Sequence, residues 1–231
     1  MKLTPRLRYP APMARRGYRQ YCGLARALDV LGERWTLLLV RNLLLGPQRF
    51  TDLLEGLPGI GTNLLASRLH ELKSAGLVAR RRLPPPAGSV VYELTPRGRD
   101  LEPTVLALSR WGAVSLGRPR RGETYRPAWL LLSLRALFQP DAANGVREVY
   151  ELRVDDEIFH ARVDNGAADV QQGPASSPDL VLTCDSRTLL DLASGKVSGA
   201  EAVHRGRISL EGSEDSLKRL QALFRVPAGA T

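Results

Sequence analysis

The sequence predicts an α+β protein in two parts. Residues 1–126 hold 22 Lys and Arg against 9 Asp and Glu, whereas residues 127–231 hold 11 against 15. The first part has the apolar spacing of short helices followed by a hairpin, and the second part alternates strand patterns with helix patterns. Parts of opposite charge indicate two domains with different partners.

Several classes of protein do not fit this composition. No apolar run reaches the roughly 18 residues of a membrane span, and no apolar segment of a secretory signal follows the basic N-terminus. Two cysteines make no disulfide framework, and three scattered histidines have no metal-ligand spacing. No phosphate loop or nucleophile motif is present. We therefore expect a cytoplasmic protein that is not an enzyme, with no cofactor, no bound metal and no membrane partner.

The first elements are helices with clear stop signals. Residues 1–19 form a basic arm, which is either solvated or lies along DNA. Residues 21–31 are amphipathic, and residues 34–45 are apolar nearly all round until Gly46-Pro47 stops them. After a very short strand at 49–50, Thr51 is expected to cap a helix with Asp52 in its first turn.

The stretch from Gly59 to Leu77 predicts the second helix of a helix-turn-helix. Its apolar residues are spaced three to four apart, its other side is small and polar, and Gly76 stands where a helix ends. The helix before it stops at residues 56–58, so a tight glycine-containing turn joins the two. Such a second helix is free to enter a major groove.

A basic hairpin follows directly. Residues 77–83 and 90–95 are strand candidates joined by a Pro/Gly turn, and the first strand carries three consecutive arginines. Thr95-Pro96 then starts a helix with a capping hydroxyl and a proline at the first position. A helix-turn-helix followed by a basic hairpin is a winged helix, and this makes double-stranded DNA the expected partner.

Residues 22–118 resemble the HxlR-type family of winged-helix transcription regulators. The likeness rests on the order of five motifs: Gly-x-Arg-Trp-Thr, Arg-Phe-x-x-Leu, Leu-x-x-Arg-Leu-x-x-Leu, Tyr-x-Leu-Thr-x-x-Gly and Trp-Gly. The resemblance implies a homodimer that binds an inverted-repeat operator, and we place the winged helix-turn-helix domain at residues 20–118. The dimer surface would use the first helix and the helix through Leu101, Val105, Leu108 and Trp111, whose side chains could also fill the monomer core.

Carried over by position, the resemblance implies eleven DNA-binding residues. They are Arg49, Thr62, Asn63, Ala66, Ser67, Arg68, His70, Lys73, Arg80, Arg81 and Arg82. Asn63 could read adenine, the cations suit phosphates, and Arg68 could serve either a phosphate or an internal ion pair. Gly61 replaces the serine that is frequent in the family, which removes a capping hydroxyl.

Cys22 stands where many members of this family carry a cysteine that senses oxidants or electrophiles. Arg26, one turn further on, could lower the pKa of its thiol and favour the reactive thiolate. The alternative is a small packing residue, because free cysteines are often buried.

The second part, after a linker at residues 119–126, predicts strands covered by helices. An apolar helix is expected at 127–138 and strands at 146–154, 157–163, 167–172, 180–184 and 208–211. Further helices are expected at 187–193, 199–205 and 214–224. This pattern is typical of an α+β domain.

Residues 127–226 resemble the sterol-carrier-protein-type fold, through a strand with Asp, a helix ending before Gly-Lys, the motif Gly-x-Ile-x-Leu-x-Gly and a closing helix. That family holds apolar ligands between sheet and helices. Eight residues could line such a cavity or simply form the core: Trp129, Leu132, Phe138, Phe159, Leu189, Leu192, Leu220 and Phe224.

Two functions follow. The first is a dimeric DNA-binding regulator, expected to be a repressor, whose C-terminal domain binds a hydrophobic small-molecule effector or only serves oligomerisation. The second is a lipid or small-molecule carrier with a basic docking module. The sequence does not indicate the operator, the effector or the direction of regulation.

Overall fold

The chain packs as two compact units that divide between Glu102 and Pro103. The computed structural model describes residues 17–86, 88–116, 120–193 and 196–226, so most of the predicted basic arm lies outside the described residues. Both units combine helices with a sheet, which confirms the predicted α+β class.

The first unit is a set of short helices around a three-stranded antiparallel sheet, in which β3 lies between β1 and β2. Its elements are α1 (Gly23–Leu31), α2 (Thr36–Leu44), β1 (Gln48–Arg49), α3 (Phe50–Glu55), α4 (Thr62–Ser74), β2 (Val78–Arg82), β3 (Val90–Leu94) and α5 (Pro96–Arg99). Leucines from α2, α3 and α4 are fully buried beside the sheet: Leu39, Leu53, Leu65, Leu69 and Leu72. This is the predicted helix-turn-helix with its hairpin.

The helix starts show one prediction that is confirmed and one that is wrong. The Thr95 hydroxyl accepts a hydrogen bond from the Gly98 N–H at 3.1 Å, with Pro96 at the first helical position, as expected. Thr51 does not cap α3. The backbone N–H of Arg49 donates to the Asp52 carboxylate at 3.0 Å, so α3 begins at Phe50 and Arg49 is its N-cap. The carboxylate at the third helical position reaches back and starts the helix early.

The end of α4 fixes where the hairpin starts. Gly76 has φ +72°, the Leu77 N–H donates to the Leu72 carbonyl at 2.9 Å, and the Gly76 N–H donates to the Lys73 carbonyl at 3.0 Å. These two bonds form a Schellman motif, which satisfies the last carbonyls of the helix and turns the chain sharply. Leu77 is buried at this corner, and β2 begins at the next residue.

The second unit is a five-stranded mixed sheet in the order β6-β5-β4-β7-β8, with β4 and β7 parallel. Its elements are α6 (Glu102–Ala113), α7 (Leu130–Leu137), β4 (Arg147–Val154), β5 (Glu157–Asp164), β6 (Ala167–Gln172), β7 (Leu180–Cys184), α8 (Ser186–Ala193), α9 (Gly199–His204), β8 (Ser209–Gly212) and α10 (Glu214–Leu223). The predicted strands and helices are all present within two residues at each end, although residues 127–129 form a 3-10 turn before α7.

Helix α6 packs with the second unit. The Arg110 Nε donates to the Ala136 carbonyl in the last turn of α7, where a cation also complements the helix dipole. The predicted boundary between domains, at 119–126, therefore lies one helix beyond the division seen in the packing.

Candidate nucleic-acid interface

The turn between α3 and α4 holds the second helix against the core. Leu57 and Ile60 are buried, and the Ile60 N–H donates to the Leu57 carbonyl at 3.0 Å. Gly59 between them has φ +93°, a conformation that any other residue would adopt with strain. A buried side chain on each side of Gly59 therefore holds the turn against the core, and α4 begins at Thr62.

Helix α4 has one buried side and one exposed polar side. Leu65, Leu69 and Leu72 face the core. The exposed side carries six of the residues predicted to bind DNA: Thr62, Asn63, Ala66, Ser67, His70 and Lys73. The helix therefore presents small and polar side chains to solvent along its length, which is the surface that a major-groove helix needs.

The first turn of α4 has no side-chain cap. Its N-cap is Gly61, which makes no side-chain capping bond, as its sequence predicted. The N–H groups of this first turn therefore lack a capping acceptor, and they point toward whatever lies before the helix. A phosphate oxygen is a suitable acceptor there.

Arg68 is held by two carboxylates. Its Nη1 lies 2.8 Å from a Glu71 oxygen on the next turn of α4, and its Nη2 lies 2.8 Å from Glu33. The side chain is only 13% exposed. Of the two roles that the sequence left open, the internal ion pair is the one present in the unbound chain. The Ser67 hydroxyl also donates to Glu71, at 3.1 Å, so Glu71 organises this side of the helix.

The three arginines of β2 differ in their partners. Arg81 binds Glu93 on β3 through two parallel bonds of 3.0 Å. The pairing holds the pKa of the Glu93 carboxyl below its ordinary value and raises the pKa of Arg81. Arg80 and Arg82 lie on the other face of the hairpin, because neighbouring strand residues point to opposite sides. Both are exposed and have no ion-pair partner among the described residues.

Two further predicted phosphate contacts border α4. Arg49 is exposed at the start of α3, and Lys73 is exposed in the last turn of α4. Neither has an ion-pair partner in the part of the chain that the structure describes. Together with Arg80 and Arg82 they give four exposed cations without an ion-pair partner among the described residues, at the start of α3, on α4 and on β2.

Cys22 is the exposed N-cap of α1. The backbone N–H groups of Ala25 and Leu24 lower the pKa of its thiol, although no regular capping hydrogen bond forms. The prediction that Arg26 causes this shift is wrong, because the Arg26 guanidinium pairs with Asp29 at 3.6 Å. The start of a helix favours a thiolate by itself. Cys184 is the opposite case, since burial raises the pKa of its thiol to about 11.

Apolar side chains are exposed on two helices. On α1 and just before it, Tyr21, Leu24 and Leu28 face solvent. On α6, Leu108 and Trp111 are exposed, the latter at 79%, whereas Val105 is buried. Of the four residues predicted for the dimer surface on this helix, Val105 is therefore inward and Leu108 and Trp111 are outward, while Leu101 lies just before α6 and is half-buried.

The eight predicted ligand-lining residues belong to the core of the second unit and its margin. Leu132, Phe138, Phe159 and Leu220 are buried, and the other four are partly exposed. The rings of Phe138 and Phe224 lie 5.6 Å apart, where the ends of α7 and α10 meet in an isolated β-bridge. These residues enclose the apolar layer between the helices and the sheet.

A cavity of about 600 Å³ opens beside α8 and α9, and it is polar. None of the eight predicted residues lines it; its walls are Asp185, Arg187, Asp191, Lys196, Val197, Glu201, Arg205 and Arg207. Asp191 accepts bonds from Lys196 at 3.0 Å and from Arg207 at 2.7 Å, which hold its carboxyl pKa low.

The described residues contain no group of His, Cys, Asp and Glu that could hold a metal ion. Within the same ranges, no helix has the length and apolarity that crossing a membrane requires.

Comparison with known proteins identifies both units. A model of the HxlR-like helix-turn-helix matches residues 30–119. The HTH-type transcriptional regulator sll1512 of Synechocystis is 35% identical over 92 residues, which cover 40% of this chain and 68% of that protein. The regulator YvaP of Bacillus subtilis is 37% identical over 86 residues, covering 37% and 80%. The chain belongs to the HxlR-like family.

Two further comparisons concern the solved structure of a relative and the second unit. The reduced form of the transcriptional regulator YodB from B. subtilis matches with 34% identity and a TM-score of 0.37, over 40% of this chain and 92% of that one. A model of the SCP-2 sterol transfer family matches residues 132–225. The protein is therefore an HxlR-type transcriptional regulator that carries an SCP-2 domain.

Sequence reasoning missed two partners within the HxlR-like unit. Glu93 could have been found, because it lies two residues from Val91, the direct cross-strand partner of Arg81, and therefore shares one face of the hairpin with Arg81. Glu33 could not, since it lies 35 positions from Arg68 and no periodicity links them.

Proposed function

We propose that this HxlR-type regulator binds an inverted-repeat operator in duplex DNA as a homodimer and represses transcription from it. The observation that carries the proposal is the exposed polar side of α4, together with four exposed cations at the start of α3, on α4 and on β2 that have no ion-pair partner among the described residues. A helix whose exposed side is mainly uncharged, combined with separate cations, divides two tasks, because base edges give specificity and phosphates give affinity.

The exposed residues of α4 and the four cations suit contacts with different parts of the DNA duplex. The Asn63 amide can bind the two major-groove edges of adenine, and Thr62 can reach a base or a phosphate. His70 and Ala66 lie further along the same side of α4. Arg49, Lys73, Arg80 and Arg82 would bind phosphates on either side. Because α4 offers no arginine or lysine at its first exposed positions, strong guanine contacts are absent and DNA shape carries part of the specificity.

The homodimer rests on the exposed apolar residues of α1 and α6. The exposed apolar side chains are those of Tyr21, Leu24, Leu108 and Trp111. Association of two subunits would remove these side chains from water, which is why exposed apolar surface marks interfaces. A two-fold axis would present two copies of α4 to successive major grooves, about 34 Å apart.

The SCP-2 domain is proposed to bind an apolar effector between its sheet and the helices α7 and α10. The ring pair Phe138–Phe224 lies where these two helices end. Binding of the fluorescent fatty acid cis-parinaric acid would test this, with a change at the buried Leu220 of α10, Leu220→Trp, as a variant that fills the space. Saturable binding that the variant weakens supports the proposal, and no binding by the full chain contradicts it.

Cys22 is proposed as a redox-sensitive thiol, because it combines exposure with a lowered thiol pKa. Alkylation of the folded chain by iodoacetamide should modify Cys22 at neutral pH, while buried Cys184 reacts only after unfolding. Equal rates at both cysteines would contradict this assignment.

The alternative function is a lipid or small-molecule carrier whose basic unit serves only for docking. The SCP-2 family match favours it. A carrier would bind the apolar probe but would select no DNA sequence.

A selection experiment separates the two. The full-length protein is used to enrich duplexes from a random library, and the enriched duplex is compared with scrambled DNA. Thr62, Asn63 and Ser67 are then replaced together by alanine, which leaves the buried side of α4 intact. We expect this variant to keep its fold but lose the preference for the enriched duplex. Enrichment of no sequence would favour the carrier.

A further inference from the structure

The loop between α1 and α2, residues 32–35, touches the helix-turn-helix at two separate points. The Glu33 carboxylate lies 2.8 Å from the Arg68 guanidinium in the middle of α4. The Trp35 indole lies beside the turn before α4, where a Cβ at Gly59 would be 3.7 Å from the ring. One short loop thus contacts both the entry to α4 and its exposed middle.

The backbone of this loop is forced into an unusual conformation. Trp35 has φ +78°, in the left-handed region that bulky residues rarely adopt. It is the N-cap of α2, its carbonyl accepts from the Leu39 N–H at 2.8 Å, and the Arg34 guanidinium lies 5.0 Å from its ring centroid. Strained residues persist only where the surroundings hold them, and they cluster at functional elements.

The position of the Arg68 guanidinium depends on carboxylates alone. Its terminal nitrogens bind Glu33 and Glu71, whereas the buried Nε has no hydrogen-bond partner among the described residues. Nothing described ties this guanidinium to backbone. Moving or neutralising Glu33 therefore changes the position of the Arg68 side chain, which lies next to Ser67 on the exposed side of α4.

We propose that the α1–α2 loop positions the recognition helix, with Glu33, Trp35 and Arg68 as positioning residues. Helix α1 begins at Gly23, directly after its N-cap Cys22, and ends at this loop. A change at α1, whether through its exposed apolar residues or its thiol, then reaches α4 without any contact between α1 and DNA. The inference rests on the proposed DNA binding for its consequence, but its structural claim is testable without DNA.

The first test uses hydrogen exchange on the full-length protein without DNA. Glu33→Gln removes one charge from a half-exposed side chain and should leave the fold intact. We expect the amides of α4 to exchange about three- to tenfold faster, while the strands β4 and β5 are unaffected. The matched control is Asp164→Asn, which breaks the exposed Arg147–Asp164 pair in the other unit. Unchanged exchange in α4 would overturn the proposal.

The second test separates positioning from phosphate contact. Arg68→Gln should weaken binding to the enriched duplex about three- to tenfold, yet leave the salt dependence of binding unchanged. Glu33→Gln should have the same effect, and the double variant should be no worse than either single one. Arg80→Gln serves as the control that does reduce the salt dependence.

The outcomes of the two tests are distinct. If Arg68→Gln lowers the salt slope by about 1.8 for a dimer, Arg68 is a phosphate ligand and the proposal is overturned. If no duplex is enriched at all, the proposed DNA function fails, and the exchange experiment alone decides whether the loop positions α4.

Discussion

The helix α4 and the hairpin β2–β3 are both basic in sequence, but their charges are used differently. In α4, the central Arg68 is shared between two carboxylates and is largely buried. In the hairpin, only Arg81 is neutralised, and Arg80 and Arg82 remain exposed without a described partner. The helix therefore presents mainly neutral hydrogen-bonding groups, and the hairpin presents charge.

The number of arginines in an element therefore does not measure the charge that the element offers to a ligand. A cation that already binds a carboxylate must lose that partner before it can bind a phosphate, so part of the gain in binding free energy is offset. We infer a division of labour, in which α4 discriminates between sequences and the hairpin supplies affinity. Four predictions test this division, beginning with the largest effect.

Removing the free charge of the hairpin should have the largest effect. Arg80→Gln combined with Arg82→Gln deletes four phosphate contacts from a dimer, which should make the slope of log K against log salt about 3.6 shallower. Enriched and scrambled duplexes should be affected alike. Fluorescence anisotropy over a salt series measures this, and a loss confined to the enriched duplex would contradict the division of labour.

Removing a reading group from α4 should reduce specificity instead. Asn63→Ala should lower discrimination for the matching adenine by about 1–3 kcal/mol, with no change in the salt slope. Competition between duplexes that differ at one base pair measures the discrimination. Ser74→Ala, at the exposed end of the same helix, is the matched control. A shallower slope in Asn63→Ala would mean that this residue does not read bases.

Releasing the neutralised arginine should increase affinity for any DNA. Glu93→Gln leaves the Arg81 guanidinium without its carboxylate, and the slope should steepen by about 1.8 for a dimer. Glu211→Gln, an exposed carboxylate of β8, controls for net charge. An unchanged slope would show that Arg81 lies outside the DNA contact.

The smallest effect is expected at the open start of α4. Gly61 has φ −80° and free space around a built Cβ, so serine fits without strain. Gly61→Ser should add a few tenths of a kcal/mol to the free energy of unfolding by capping the helix. Chemical denaturation measures the gain. A destabilised variant would show that the capping geometry is not as described.

The elements themselves followed from local sequence. β6 and β7 were predicted at the observed residues, and the Thr95 cap, the Gly76 stop and the missing cap at Gly61 were read from one or two positions each. Such features depend on neighbours within a few residues, where backbone preferences act directly. The family resemblance was confirmed for both units.

Partners far apart in sequence were not predictable in this way. The Glu33–Arg68 pair joins a loop to a helix across 35 positions, and the packing of α6 with the second unit includes the contact of Arg110 with the Ala136 carbonyl, 26 positions away. Thr51 was misplaced as a cap because Asp52 competes for the same role by reaching back to Arg49. The polar cavity beside Asp191 gathers residues from two helices and a loop, which no single motif reveals.

Sequence-selective binding to DNA is the property on which the proposed function depends. It is measured by binding to the duplex immediately upstream of the chain's own coding region, compared with scrambled DNA over a salt series. We predict selective binding that persists at about 150 mM salt, with a slope that counts the phosphate contacts. Equal and steeply salt-sensitive binding to both duplexes, together with no enrichment from a random library, would contradict the claim and leave only a basic surface.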